Sequence, residues 1–276
     1  MYLIALSALE NSKAIKAEVL TIGNEVLTGR VVNTNAAYIA RRLSLVGVSV
    51  KRITVVADNE EEIVAAVRES LSRKPEYLIT TGGLGPTYDD ISMAAIAKAV
   101  GLPLKKSDLA LSWILQKIRS ENAPLTPERE KMAYMPNPCR ELDNPVGVAP
   151  GAWIEVGGGD HKTVIMVLPG VPSEMEAMFE KHLLPILVKE QRLFVAEREL
   201  RITGIFEASL APYIKNLVRA DSALYVKTHP GGTVDKPSML VHVEYASPNR
   251  QEAERKAEET IKAVKEEAQR LGATVS

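Results

Sequence analysis

Cysteine is nearly absent: Cys139 is the single one in 276 residues. Intrachain disulfides and thiolate metal clusters are thereby excluded, and an idle thiol is the expected reading. An excess of either charge is missing as well, with Lys+Arg at 34 and Asp+Glu at 35. That balance argues against a broad basic face for nucleic acid. An anionic ligand must therefore be held by backbone N–H groups, a metal ion or a few local cations. No apolar run approaches the ~20 residues that span a bilayer. The opening MYLIALSALENSK has neither a basic n-region nor a cleavage pattern, so a cytoplasmic protein with no membrane or nucleic-acid partner is expected.

Familiar catalytic signatures are missing too. There is no G-x-S-x-G, and His161, His182, His229 and His242 lack metal-ligand spacing. His182 reads as a helix-face histidine. The loop TTGGLGPTYDD (Thr80–Asp90) has no Lys-Ser/Thr of a Walker loop. Its Gly83-Leu-Gly85 runs into Pro-Thr-Tyr where a dinucleotide fingerprint needs x-x-Gly.

What is present is an alternation of two periodicities. AEVLTIG (Ala17–Gly23), VSVKRITVV and Tyr77–Thr81 read as strands. Between them Ala36, Ile39, Ala40, Leu43 and Val46 fall at helical spacing, and Asn59 with Glu62 predicts a capping box before Ile63, Val64, Val67 and Leu71. Ile91–Val100 is the next helix. This βαβαβα order predicts an α/β fold with a mainly parallel sheet covered by helices. Helices are also expected at Ser107–Arg119 and after Thr126-Pro127. PNPCRELDNPVGVAPG carries too many prolines for regular structure. Strands Ala152–Val156 and Thr163–Leu168 follow, then a helix presenting Val171, Met175, Met178, Phe179, His182 and Ile186 on one face.

The pattern changes near Arg192–Glu197. Strand Glu199–Gly204, helix Glu207–Ala220, two strands and a final helix predict a small α+β unit. A narrow stripe of Ala253, Ala257, Ile261, Val264, Ala268 and Leu271 lays that last helix on a sheet. The expected division is an N-terminal extension at 1–16, an αβα domain at 17–190 and a small module at 197–276.

In an open parallel sheet, ligands sit beyond the carboxyl ends of the strands. Four polar, glycine-rich loops leave such ends. GNEVLTGRVVNTN supplies Gly23, Asn24, Glu25, Thr28, Gly29, Asn33 and Asn35, and ADNEE supplies Asp58. The glycine loop supplies Thr81, Gly82, Gly83, Gly85, Asp89 and Asp90, and LPGVPSE supplies Pro169, Gly170 and Glu174. Small residues between a strand and a helix let consecutive N–H groups point at an anion. Carboxylates from separate loops, Asp58 and Asp90 foremost, suit Mg²⁺ or another divalent metal ion shared with phosphate oxygens. Asp89 and Asp90 have a second reading as caps of the following helix, although adjacent residues cannot both cap. Asn33 and Asn35 are equally candidates to cap the first helix or to line the pocket.

IGNEVLTGRVVNTNAAYIARRL, TTGGLGPTYDD, NPVGVAPG and LPGVPSEMEAMFE, in this order, resemble the amino-terminal domain of the CinA (competence/damage-inducible) family. That domain belongs to the wider molybdopterin-binding fold of molybdenum cofactor biosynthesis, and the resemblance runs from about Ala17 to Leu187. It implies a three-layer αβα domain, and a tail around YVKTHPGG that resembles a KH-like module without a G-x-x-G loop. It also implies that the nicotinamide mononucleotide amidohydrolase domain of many relatives is missing here. The implied function is metal-dependent hydrolysis of a nucleotide pyrophosphate such as ADP-ribose or FAD. Alternatives are pterin binding or adenylylation in cofactor biosynthesis, and a non-catalytic nucleotide sensor or scaffold. By motif, Gly82, Gly83 and Gly85 would cradle phosphate, Asp58 and Asp90 would hold metal, and Asn33 and Asn35 would line the pocket. Many relatives have Asp where this chain has Asn24 and Asn33, which weighs against hydrolysis if such an Asp is catalytic. A homodimer or other homo-oligomer is expected, with Lys227 and His229 of the YVKTHPGG loop as candidates to complete the site.

Overall fold

The computed structural model describes residues 14–276 except 121 and 160, so most of the expected N-terminal extension lies outside the described residues. Its strands are β1 (Lys16–Ile22), β2 (Ser49–Val56), β3 (Tyr77–Thr81), β4 (Leu104–Lys106), β5 (Tyr134–Pro136), β6 (Arg140–Leu142), β7 (Gly151–Gly158), β8 (His161–Leu168), β9 (Phe194–Thr203), β10 (Leu224–Gly232), β11 (Pro237–Ser247) and β12 (Thr274–Val275). Two compact units emerge. One comprises 15–43 and 50–190, and the other is built on 191–276 and includes 44–49.

The first unit centres on a six-stranded sheet ordered β2-β1-β3-β8-β7-β6. β1, β3 and β8 run parallel, with Val19 opposite Ile79 and Ile79 opposite Met166. β7 returns antiparallel along β8, and β6 along β7. The sheet is thus mixed, with a parallel centre and an antiparallel margin. Alternate residues of the central strands face opposite ways, and both sides are apolar. Leu20, Leu78, Ile165 and Val167 pack with Ile63, Val67, Ile96 and Ile114 of helices Glu60–Ser72, Ser92–Ala99 and Asp108–Ser120. Val19, Ile79 and Met166 look the other way. Ile39 and Leu43 of helix Thr34–Leu45 are fully buried, as are Met175, Met178 and Phe179 of helix Pro172–His182. Tyr38 meets Phe179 edge-on at 6.3 Å, and Arg42 grips both Glu180 oxygens at 2.7 and 2.9 Å. The result is a three-layer αβα domain.

Local chemistry sets the element ends. Asn59 Oδ1 accepts the Glu62 N–H at 3.1 Å, but the Glu62 carboxylate reaches past Asn59 to the Ala57 N–H at 3.3 Å. Thr126 Oγ1 accepts the Arg129 N–H at 3.4 Å, with Pro127 opening the helix. Ser107 Oγ receives the Ala110 N–H at 3.1 Å and itself donates to Glu141 at 2.7 Å.

Three readings of the sequence need correction. The proline-rich stretch after Tyr134 contains β6, an edge strand whose prolines lie outside its three residues. The helix expected to run past His182 stops there, and Leu184–Glu190 starts anew with Pro185 in its first turn. Leu183 and Leu187 are buried where Ile186 was expected, and Val171 is exposed. Finally, YVKTHPGG is not a loop. It belongs to β10, in which Lys227 pairs with His242 and His229 with Leu240.

The second unit carries a four-stranded antiparallel sheet ordered β10-β11-β9-β12, covered by helices Glu207–Ala220 and Arg250–Arg270. Ala253, Ala257, Ile261, Val264 and Ala268 are buried against Ile202, Val241 and Val243. This is the α+β module that the stripe predicts, although β9 begins at Phe194, five residues before the expected Glu199.

Candidate functional site

Because β1, β3 and β8 are parallel neighbours, the loops after Ile22, Thr81 and Leu168 leave the same edge of the sheet. Backbone bonds knit these exits together: Gly23 N–H to Val56 O and Gly82 N–H to Leu168 O, both at 3.1 Å. The Asn24 N–H donates to Asp58 Oδ2 at 2.8 Å, which fixes the carboxylate after β2 beside the first loop. Over this edge lies a cleft of about 660 Å³. Gly23, Glu25 and Asp58 form one wall; Gly82, Gly83, Gly85, Asp89 and Asp90 form the floor; Pro169, Gly170 and Glu174 form the other wall. Thr81, Asn33 and Asn35 line a small adjoining pocket of about 70 Å³, which shares Gly82 and Gly170 with the cleft. Asn24, Thr28 and Gly29 line neither, since the chain between β1 and the first long helix coils into a single exposed turn at Asn24–Leu27.

The glycine loop is built for close approach. Gly83 has φ of 66°, and a Cβ there would overlap Ser92 Oγ. Among the described residues, the N–H groups of Gly83, Leu84 and Gly85 have no protein acceptor. Gly83 and Gly85 are half-buried at the cleft surface, so this run of N–H groups is available to an acceptor from outside the protein. Asp90 does not cap the helix that begins at Ser92, whose N-cap Ile91 makes no side-chain bond. Instead its Oδ2 accepts the Thr87 N–H at 2.8 Å and the Thr87 hydroxyl at 2.6 Å, closing the loop on itself. Lys131 pins the same turn by donating to the Thr87 and Asp90 carbonyls. The Thr87 hydroxyl also reaches Asp89 and holds its carboxyl below the ordinary range.

Asp58 behaves oppositely. Burial raises its carboxyl above the ordinary range, the Asn24 N–H works against that rise, and the charges of Glu25, Asp89 and Asp90 add to it. Glu25, Asp58, Asp89, Asp90 and Glu174 thus share the cleft with one lining cation, Arg129.

Asn33 proves to be a cap. Its Oδ1 accepts the Ala36 N–H at 3.1 Å, and its amide donates to Thr21 Oγ1 at 3.1 Å. Asn35 donates to Gly170 O at 2.8 Å, tying the first loop to the last, while its buried Oδ1 has no partner. The loop Asn144–Ala149, within the NPVGVAPG motif, supplies Gly147, Val148 and Ala149 to the cleft, none of them a residue the sequence pointed to. Buried Asn144 organises it. Its amide donates to Ala149 O at 3.0 Å and Glu174 Oε2 at 2.7 Å, and its Oδ1 accepts the Val146 and Gly147 N–H groups at 3.0 and 2.7 Å. Glu174 sits so close to the Gly147 Cα that a Cβ there would overlap its carboxylate. The asparagine-proline turn before an apolar-glycine run was the available sequence signal.

Residues 18–189 match the family described as "Probable molybdopterin binding domain". The chain belongs to that family. Among relatives of this molybdopterin-binding-domain protein, one from Pyrobaculum aerophilum is 46% identical over 240 residues, spanning 86% of this chain and 88% of its own length. Another from Sulfurisphaera tokodaii is 41% identical over 260 residues, spanning 94% and 97%. The crystal structure of CinA from Thermoplasma acidophilum, a protein described as having unknown function, matches with 43% identity and a TM-score of 0.54. That match covers 61% of this chain and 96% of the solved chain. Among the described residues, no helix is long and apolar enough to cross a membrane.

A divalent cation fits the donors present. The cleft offers hard carboxylate oxygens, with no histidine or cysteine among its lining residues. Its carboxylates do not form a close three-ligand cage; among the described residues the compact trio is Glu197, His242 and Glu244 in the second unit. Mg²⁺ needs no such cage, because it takes one or two carboxylates and completes its shell with water and phosphate oxygens.

Proposed function

We propose that this cleft binds a nucleotide pyrophosphate together with a divalent cation, and that the chain hydrolyses a dinucleotide-like substrate such as ADP-ribose or FAD. The observation that carries the reading is the acceptor-less run of N–H groups at Gly83–Gly85 facing a carboxylate-rich cleft. N–H groups call for an anion, whereas the carboxylates repel one. A pyrophosphate bound together with a divalent cation would satisfy both. Asp58 and Asp90 would hold the cation, which when bound neutralises phosphoryl oxygens and acidifies water. The loop N–H groups would orient the diphosphate, with Arg129 as the added cation. Asp89 would accept a proton from the attacking water, as a weak base whose carboxyl Thr87 holds low. Asn33 caps a helix as an aspartate also would, and Asn24 contributes its backbone. The asparagines in place of aspartates therefore keep the cap and the backbone contact but supply no carboxylate at either position, so the hydrolytic reading rests on Asp58, Asp89 and Asp90.

A second reading, binding or adenylylation of a pterin, is favoured by the description of the matching family. One panel separates the readings: ADP-ribose, FAD, and ATP plus molybdopterin, each with Mg²⁺ or with chelator. AMP released from ADP-ribose or FAD only with metal supports hydrolysis. An adenylylated pterin in its place overturns hydrolysis in favour of the second reading. Binding without any product leaves a non-catalytic sensor.

A further inference from the structure

On the far side of the glycine loop lies another pocket, of about 210 Å³. Leu84, Met93, Leu104, Met132, Tyr88 and Tyr134 are among its lining residues. Tyr88 is 94% exposed, Tyr134 43% and Leu104 37%, so three large apolar side chains rim one small opening. Such side chains scattered singly need no explanation, but gathered at a concavity they mark a binding surface. The pocket also borders the acidic cleft directly. Gly83, Leu84, Gly85, Asp90 and Met132 line both. A ligand crossing the backbone at Gly83–Gly85 would place a charged part among carboxylates and N–H groups, and a flat apolar part beside Tyr88 and Tyr134.

We propose that the Tyr88–Tyr134 pocket holds the planar heterocycle of the nucleotide whose diphosphate occupies the cleft. The proposal rests on the nucleotide reading above and deepens it by assigning the base. Two features favour a small heterocycle over a protein partner. The volume suits a ring system of one or two fused rings, and the walls continue into a site for phosphate. Lys131 completes the wall, with its ammonium committed to the loop carbonyls and its stem left as apolar lining.

The test measures affinities of wild type, Tyr88→Ala, Tyr88→Phe and Tyr134→Ala for ADP-ribose, FAD and inorganic pyrophosphate, all with Mg²⁺. Adenosine, a two-ring heterocycle without phosphate, serves as the fourth probe. Loss of a stacking ring should weaken ADP-ribose and FAD roughly tenfold or more, leave pyrophosphate unchanged, and be rescued by Tyr88→Phe. Unaltered nucleotide affinity in both alanine variants overturns the assignment. So does an equal loss for pyrophosphate, which would mean that Tyr88 shapes the phosphate loop. Conversion of an oligomer to monomers by Tyr88→Ala, seen in sedimentation, would give the pocket to a second copy and also overturn it. If wild type binds no nucleotide, the reading of the cleft fails and adenosine decides the pocket. Binding that Tyr88→Ala abolishes sustains it, and absence of binding removes it.

Discussion

Asp58 is the residue on which the proposed chemistry leaves its clearest physical mark. Burial and three acidic neighbours raise its carboxyl, so ionising it costs the folded state. For a raised carboxyl the stabilising contribution is complete below the unfolded value of about 4 and is lost as pH climbs through the folded one. Asp58→Asn keeps an oxygen for the Asn24 N–H and removes the charge. Without metal, this variant should melt no lower than wild type, and its advantage should grow from about pH 4 toward neutrality. With Mg²⁺, wild type should gain melting temperature and Asp58→Asn should not, while turnover falls by roughly 10²-fold or more. Equal Mg²⁺ responses would take Asp58 out of the metal site. Asp90→Asn should likewise keep the fold, since an amide oxygen still accepts from Thr87, and lose activity by a similar factor. A matching loss of stability and activity would reduce Asp90 to a turn-former. The motif placed both carboxylates in the site, but no pattern along the chain could show that Asp90 closes on Thr87, because that bond depends on how a four-residue turn folds back.

At the scale of elements, loop positions were legible and loop interiors were not. β3 falls on Tyr77–Thr81 as read from its apolar run, and with it the exit into the glycine loop. β6 and β10, whose residues were read as loop in whole or in part, are both edges of their sheets. Edge strands tolerate the prolines and glycines that mark a loop elsewhere, as Pro230 and Gly231 do in β10. Asn144 escaped notice because its four bonds join a loop to itself and to a helix thirty residues away. Asn144→Ala should strand the Val146 and Gly147 N–H groups and free Glu174. We expect a cost on the order of 2 kcal/mol and a fall of roughly 5 °C in Tm, measured by calorimetry. The glycine loop sets its own limit. Gly83→Val forces a β-branched residue to φ of 66° against Ser92, and should cost about 3 kcal/mol or more in a urea melt. A neutral effect would show that the loop has another conformation open to it.

Across the whole molecule, the two units should answer pH differently. His242 bridges Glu244 at 2.9 Å and Glu199 at 3.3 Å, and the Glu244 hydrogen bond raises its pKa despite burial. A raised histidine stabilises fully below its unfolded value of about 6.5, and that stabilisation is lost as pH rises through the folded one. The second unit should therefore weaken above neutrality in wild type and stay level in His242→Gln, as followed by hydrogen exchange in β9 and β11. Truncation after Glu190 tests the division of the chain. The shortened protein should keep its far-UV circular dichroism and its Mg²⁺-dependent nucleotide binding. Its melting point should fall, because segment 44–49 packs with the removed part: Gly47 lies against the Leu193 carbonyl. Insoluble protein would show that the first unit cannot stand alone.

The strand order carries a consequence for how this chain is made. β3 sits between β1 and β8, yet β8 lies some eighty residues further along the chain. During synthesis at roughly 5–20 residues per second, β3 waits several seconds with one edge bare. All five of its residues are buried in the finished sheet, and its missing neighbour is a non-local one of high contact order, which makes closure slow. Growth temperature, ribosome pausing before residue 168 and chaperone supply should therefore govern the yield of this protein more than its final stability does.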